Sequence, residues 1–305
     1  MNVPLPLLVI ALAWIVLAVT LATLTLVPRY RAWRARGMAR SVGLELDDSA
    51  RPMVERALAT RERGRLIGGT VGLALGLAAI AARPVHDDLD QWFTFAGCFI
   101  GIGVGTAVGA ILARPRSPES GPRVARSREV TLGDYLTPLE HRGAQVLVLL
   151  AVVFALTAAV LVAGFEREQP RAVTTLVIAG FAVAALAARE LIGRAVLAQR
   201  SPASDLSRLA WEDAQRADTL AQLTLAPLLL GGLGVVFAAL TAFGALAPTL
   251  LSVVIGTAIP LVLIMGFIAV TAIWASRSPH RHFLRVLWPE IAVANGTMHR
   301  ENEQR

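Results

Sequence analysis

The chain has 305 residues, 55% of them hydrophobic, with a mean hydropathy of +0.60, too apolar for a soluble domain of that length. The net charge of +7 comes from 29 basic residues, every one an arginine, set against 22 acidic ones. Without lysine there is no amine for a retinal Schiff base and no Walker-type phosphate loop, and a single cysteine, Cys98, excludes an intramolecular disulfide.

Seven apolar stretches are predicted to be transmembrane helices, most of them near the roughly 20 residues that a hydrocarbon core requires. The first, Leu5–Val27, has no basic residue before it and a dense arginine run, Arg29 to Arg40, after it. That order predicts an uncleaved anchor inserted N-terminus first rather than a cleaved signal peptide. Residues Pro52 to Arg65 can form a helix that runs on into the second stretch, Leu66–Ala82, with Pro52 in the first turn. A short loop, Arg83–Asp90, leads to the third stretch, Gln91–Ala113. It carries His86, Asp87, Asp88 and Asp90, but adjacent residues in a tight turn do not converge on one cation, so no metal site is expected.

The second and third stretches carry four-residue glycine ladders: Gly64, Gly68, Gly72 and Gly76 on one, Gly97, Gly101, Gly105 and Gly109 on the other. Each ladder puts its glycines on one helix stripe. An antiparallel hairpin brings Gly64 opposite Gly109, Gly68 opposite Gly105, Gly72 opposite Gly101 and Gly76 opposite Gly97. Lipid offers little hydrophobic drive for helix pairing, so backbone contact through small residues is the expected role, in preference to a pore lining or a hinge.

After an irregular Arg-, Ser-, Pro- and Gly-rich loop, Arg116–Arg128, comes the fourth stretch, Ala144–Phe165. The fifth, Ala172–Ala188, is short and is expected to extend through flanking arginines whose long side chains reach the interface. It has a weaker small-residue stripe of Gly180, Ala184 and Ala188. At its end stand Arg189, Glu190 and Arg194, the ionisable residues closest to a span interior and the only binding candidates, with Glu190 and Arg194 one helical turn apart. They read as an interfacial ion pair where the helix leaves the membrane, with a substrate or proton site as the alternative. Asp205 to Asp218 predicts a helix continuing into the sixth stretch, Leu220–Leu246. The seventh, Thr249–Trp274, carries Pro260 at a predicted kink. Trp92 and Trp274 lie at span ends, where amphipathic rings favour headgroups. In the tail, Phe283, Leu284, Val286, Leu287 and Trp288 alternate with arginines, as in a short interfacial helix.

All but three of the arginines, Arg83, Arg167 and Arg171, fall in alternate gaps between these stretches: Arg29 to Arg65, Arg114 to Arg142, Arg189 to Arg216 and Arg277 to Arg305. Arginine-rich gaps stay in the cytoplasm, which predicts an N-terminus outside and a C-terminus inside. The sequon Asn295-Gly296-Thr297 then falls on the wrong side for glycosylation. The tripeptide Arg-Ser-Pro recurs at 116–118, 200–202 and 277–279, each time closing an outward-and-back helix pair. This predicts an all-α architecture of a leader span and three parallel hairpins, about 64–116, 144–200 and 219–277, related by rotation about the membrane normal. Residues 1–279 form the seven-span unit and 280–305 a cytoplasmic tail.

The segments Arg61-Glu62-Arg63-Gly64-Arg65-Leu66-Ile67-Gly68-Gly69 and Asp134-Tyr135-Leu136-Thr137-Pro138, within an all-arginine, alanine-rich chain, resemble uncharacterised polytopic membrane proteins of GC-rich actinobacteria. The resemblance implies a bacterial plasma membrane and transfers no catalytic residue. No paired intramembrane carboxylates, HExxH or GxSxG motif stands in the chain. The expectation is therefore a non-enzymatic scaffold, sensor or transport-associated subunit, without cofactor or metal. Its partners would be anionic headgroups at the inner face and a cytosolic protein, not nucleic acid. The alternative is a small-molecule transporter or permease using threonines such as Thr106, Thr157, Thr175 and Thr257.

Overall fold

The computed structural model describes residues 5–48, 50–81, 101–106, 108–109, 112, 130–164, 169–198, 206–246 and 281–294. The seventh stretch, Cys98, Gly97, the loop at 83–90 and all three Arg-Ser-Pro tripeptides lie outside these residues, as does the threonine at 257. Among the described residues the elements are helices: α1 (Leu5–Leu24), α2 (Pro28–Val42), α3 (Arg51–Ala81), α4 (Leu132–Tyr135), α5 (Pro138–Leu161), α6 (Gln169–Ala198), α7 (Leu206–Leu246), α8 (His282–Leu287) and α9 (Pro289–Ala294). Residues 101–106 and 108–109 of the third stretch are also helical.

Among the described residues, three segments are long and apolar enough to cross a membrane: Pro138–Leu161, Arg171–Ala198 and Leu206–Ala242. A fourth is counted if Ala11–Leu24 and Pro28–Val42 are taken as one pair, bent by 94° at their junction. Three or four candidate spans point to a multi-pass membrane protein.

The side-chain distribution is inverted relative to a protein dissolved in water. Along α5 the buried face is Ala144, Val148, Ala151, Ala155 and Ala158, at alternating four- and three-residue steps. Its exposed face carries Leu149, Phe154, Leu156 and Val160, the last 76% exposed. Small residues inside let backbones approach, and large apolar residues outside suit a hydrocarbon solvent. α7 packs against both α5 and α6. At Gly231 a Cβ would stand 3.2 Å from the Leu147 carbonyl carbon and the Val148 nitrogen, and at Gly234 one would stand 3.0 Å from Ala151 Cβ. The three helices are therefore in close contact along their small-residue faces. Thr175 and Thr241, both buried, share an Oγ1–Oγ1 hydrogen bond of 3.2 Å between α6 and α7, and each hydroxyl also lies 2.9 Å from a carbonyl of its own helix.

Two helices extend well beyond any hydrocarbon layer. At 1.5 Å per residue, the 41 residues of α7 measure about 60 Å, twice the roughly 30 Å of a bilayer core. Pro227 is accommodated inside it at the loss of one backbone hydrogen bond. α3, with 31 residues, likewise begins in the polar sequence at Arg51 and continues into the apolar ladder, in line with the pattern of Pro52 to Arg65. The projecting ends enter a hydrophobic core of their own. Ala35, Ala39 and Val42 of α2, Val54 of α3, Tyr135 and Leu136, Trp211 and Ala214 of α7, and Phe283 and Leu284 of α8 are buried together. The first two apolar tail residues thus sit inside protein.

Local signals build this head. Pro28 at the start of α2 follows extended Val27. Gly43 closes α2 in the left-handed region (φ 83°), its N–H donating to Ala39 O at 2.7 Å, a conformation that favours glycine. Asp47 Oδ1 then accepts from Ala50 N at 2.7 Å and opens α3. Thr137 and Glu140 cap each other at the start of α5, Thr137 N to Glu140 Oε2 at 2.6 Å and Glu140 N to Thr137 Oγ1 at 3.2 Å.

Candidate functional site

The polar chemistry lies where the helices leave the apolar bundle, in three connected clusters. The first surrounds Arg189, which is 1% exposed. Nε donates to Thr224 Oγ1 of α7 at 3.1 Å, Nη1 to Glu190 Oε1 at 3.1 Å, and Nη2 to His141 Nδ1 of α5 at 2.8 Å. A guanidinium can only donate, so His141 accepts through Nδ1. The capping box that starts α5 holds both His141 and Glu140 in place. Glu140 is also buried and lies within electrostatic range of Arg189; its Oε1 has no hydrogen-bond partner. Arg189 and Glu190 are brought together, whereas Arg194 is exposed, and the bond that Glu190 makes is to its neighbour rather than one turn on. Each nitrogen of Arg189 is engaged by a different helix or by its own, a clasp that fastens α5, α6 and α7 to one another. These donors face protein acceptors, which leaves the cluster a poor anion site.

The second cluster is centred on Arg61, 3% exposed on α3. Nη1 donates to Asp218 Oδ2 at 2.7 Å, and Nη2 to Gln215 O and Thr219 Oγ1, both at 2.8 Å. Arg65 Nη2 approaches the same Asp218 oxygen at 3.6 Å. Burial pulls the Arg61 pKa below the ordinary guanidinium value, and the Asp218 carboxylate opposes that shift. Guanidinium starts so high that the group stays charged at physiological pH. The forked geometry fixes α3 to α7 just where both emerge from their apolar segments.

The third cluster is the hub of the head. Asp213, 0% exposed on α7, accepts from Tyr135 Oη and from Trp288 Nε1, both at 2.9 Å, and lies 4.0 Å from Arg216 Nη1. Tyr135 stacks on Phe283 with ring centroids 6.5 Å apart. Arg281 donates to Ser41 O and Arg40 O at the end of α2, and Trp211 Nε1 donates to Glu45 O. One carboxylate therefore joins the segment after the third stretch, the helix before the sixth, and the tail.

The glycine candidates occupy the bundle rather than this polar layer. A Cβ on Gly68 would overlap the Gly105 carbonyl and stand 2.9 Å from Gly109 Cα. One on Gly72 would overlap the Gly101 carbonyl and stand 3.2 Å from Gly105 Cα. One on Gly109 would overlap the Gly64 carbonyl. The stripes of α3 and of the helix at 101–109 thus face each other backbone to backbone, in the register Gly64 with Gly109, Gly68 with Gly105 and Gly72 with Gly101. Gly76 lies in α3, and its expected partner is outside the described residues. A Cβ at Gly180 meets nothing within 4 Å, so that weaker stripe faces away from α5 and α7. Gly69 lies against Trp14 of α1, whose Nε1 donates to Thr70 Oγ1 at 3.3 Å.

Sequence reasoning singled out Arg189 and Glu190 but missed Arg61, Asp213 and Asp218. The available signals were the apolar residues among charges in Asp205–Asp218 and the two Thr-x-x-acid boxes around Tyr135. Among the described residues, no group of three His, Cys, Asp or Glu side chains could hold a metal ion. Comparison with protein-family models, with curated proteins and with solved structures finds no match.

Proposed function

We propose that this chain is a seven-span protein of the bacterial plasma membrane, N-terminus outside and C-terminus inside. It acts without catalysis as a scaffold, sensor or transport-associated subunit. Its working surface is the arginine-rich cytoplasmic head, which meets anionic headgroups and a cytosolic protein. One observation carries the reading: residues from four different arginine-rich segments, at 35–54, 135–136, 210–217 and 283–284, are buried in one core. Segments that share a core share a side of the membrane, which is what the alternation of arginines demands. The head is also more than a set of connecting loops, since Tyr135, Trp211 and Phe283 are buried in it and Arg61, Asp213 and Asp218 are bonded in defined geometry.

The permease reading finds less support. Thr175 is engaged with Thr241 and a backbone carbonyl in a buried contact, and Thr106 and Thr157 donate to carbonyls of their own helices. The close α5–α7 contact at Gly231 and Gly234 favours a solid bundle in that region.

Labelling of single cysteines by a membrane-impermeant thiol reagent in intact cells, on a Cys98→Ser background, tests the orientation. Cysteines at positions 40 and 123 should be protected until the membrane is permeabilised. Labelling of either in intact cells overturns the topology and with it the cytoplasmic head. Affinity isolation from native membranes tests the scaffold role. Stoichiometric recovery of a cytosolic or transport protein that is lost on disrupting the head supports it, and solute flux by the purified chain alone in vesicles overturns it.

A further inference from the structure

Between α2, α3 and α7 lies a half-open cleft of about 400 Å³. Its apolar wall is Trp33, Met38 and Leu58, and its polar wall includes Arg34, Arg65 and Asp218. The geometry points to this cleft as a site for one anionic phospholipid, with the headgroup phosphodiester on Arg65 and Arg34 and the glycerol end of the lipid against Trp33. The inference rests on the membrane reading above and makes it specific.

Three observations carry it. First, the two arginines of the polar wall have one carboxylate there, Asp218, beside the neutral Ser41 and Gln222. Asp218 Oδ2 is already taken by Arg61 at 2.7 Å, and Arg65 Nη2 stands off from it at 3.6 Å with a quarter of its side chain exposed. Arg34 spends one contact on Glu62 at 2.7 Å. A phosphate oxygen supplies the missing acceptor with a charge-assisted bond. Second, the charges balance for such a ligand. Arg34, Arg61 and Arg65 face Glu62 and Asp218, leaving one positive charge for the single negative charge of a phosphodiester. Third, the cleft stands at headgroup depth. α2 is bent 94° from α1, so when α1 crosses the bilayer α2 lies along its surface. Tyr30 and Trp33, ring centroids 5.9 Å apart, lie on that helix, with Trp33 more than half exposed, as interfacial aromatic residues do. A free anion would have no use for the apolar wall.

The test uses the full chain purified in detergent with mixed dioleoyl phosphatidylglycerol and dioleoyl phosphatidylcholine, counting lipids retained by native mass spectrometry. One phosphatidylglycerol should be retained in preference to phosphatidylcholine. Arg65→Gln should weaken retention about tenfold, the expectation for losing one charge-assisted contact. Gly37→Leu puts bulk into the cleft from α2 and keeps both arginines, with room at the backbone because a Cβ there meets nothing within 4 Å; it should reduce retention as strongly while α2 stays folded. Arg36→Gln, exposed on the same helix, should leave retention unchanged. Equal losses in all three variants mean diffuse surface attraction and overturn the site. Displacement by millimolar inorganic phosphate, with equal retention of both lipids, overturns the lipid as occupant. If thiol labelling keeps position 40 inside and phosphatidylglycerol is still not retained, the site fails alone; if position 40 is outside, the membrane reading fails first.

Discussion

Asp213 carries more of the head than any other single side chain. Its two oxygens accept from an indole and a phenol contributed by segments 75 and 78 residues away in sequence, and Arg216 Nη1 lies 4.0 Å away. Asp213→Asn keeps the shape but turns one acceptor into a donor that faces a donor. The variant should lose about 2–3 kcal/mol of stability, measured as a lower thermal midpoint in detergent, whereas Tyr135→Phe should lose about 1 kcal/mol. Equal stability of Asp213→Asn and the parent would deny the hub its role. The glycine stripe makes a sharper residue-scale contrast. Even Gly72→Ala puts a methyl into the Gly101 carbonyl, and a backbone cannot rotate away, so about 1–3 kcal/mol should be lost and less folded protein recovered. Gly72→Leu and Gly101→Leu should be worse. At Gly103 the added Cβ would stand 2.9 Å from Leu229 Cδ1, the end of a side chain that can turn, so Gly103→Ala should be mild. Comparable loss in Gly103→Ala and Gly72→Ala would show that register does not matter there.

At the scale of elements, what the sequence revealed depended on how local the signal was. The glycine register was readable because a four-residue repeat on two adjacent helices has one antiparallel alignment. The run-on helices α3 and α7 were readable because no proline interrupts residues 53–81, and Pro227 lies too deep in an apolar run to end α7. The Asp213 hub was not readable, because Tyr135 and Trp288 come from two distant segments and no spacing rule relates them to Asp213. The same holds for Arg61 and Asp218, 157 residues apart. That pair suggests a test of how the two long helices are held. Arg61→Ala removes the forked donor that joins Asp218, Gln215 O and Thr219 to α3 and should cost about 2–3 kcal/mol. Arg61→Lys, which cannot fork to three acceptors, should recover only part of that, read as unfolding midpoints. Full recovery by lysine would mean that charge alone, and not the fork, joins α3 to α7.

For the whole molecule, the bundle and the head are separate packing problems sharing continuous helices. In the bundle α5 turns its large apolar residues outward while α7 buries Leu230, Phe237 and Leu240, and the head turns Tyr135, Trp211 and Phe283 inward. A chain ending at residue 280 lacks Phe283, Leu284 and Trp288 and so opens the head's core without altering α5, α6 or α7. It should still insert into membranes, while trypsin cleaves faster at Arg40 and Arg51; insertion failure, or unchanged cleavage, would contradict two separately packed regions. The emergent ends of α3 and α7 add a mechanical consequence. A helix that passes from bilayer to head without a break is a lever: for α7, a tilt of about 5° over the roughly 30 Å outside the hydrocarbon displaces its tip by about 2–3 Å. Because Arg61 pins α3 to α7 near the fulcrum, the two levers swing together. A change in bilayer thickness that tilts one is therefore delivered to the core around Asp213 as a shear between α2 and α8.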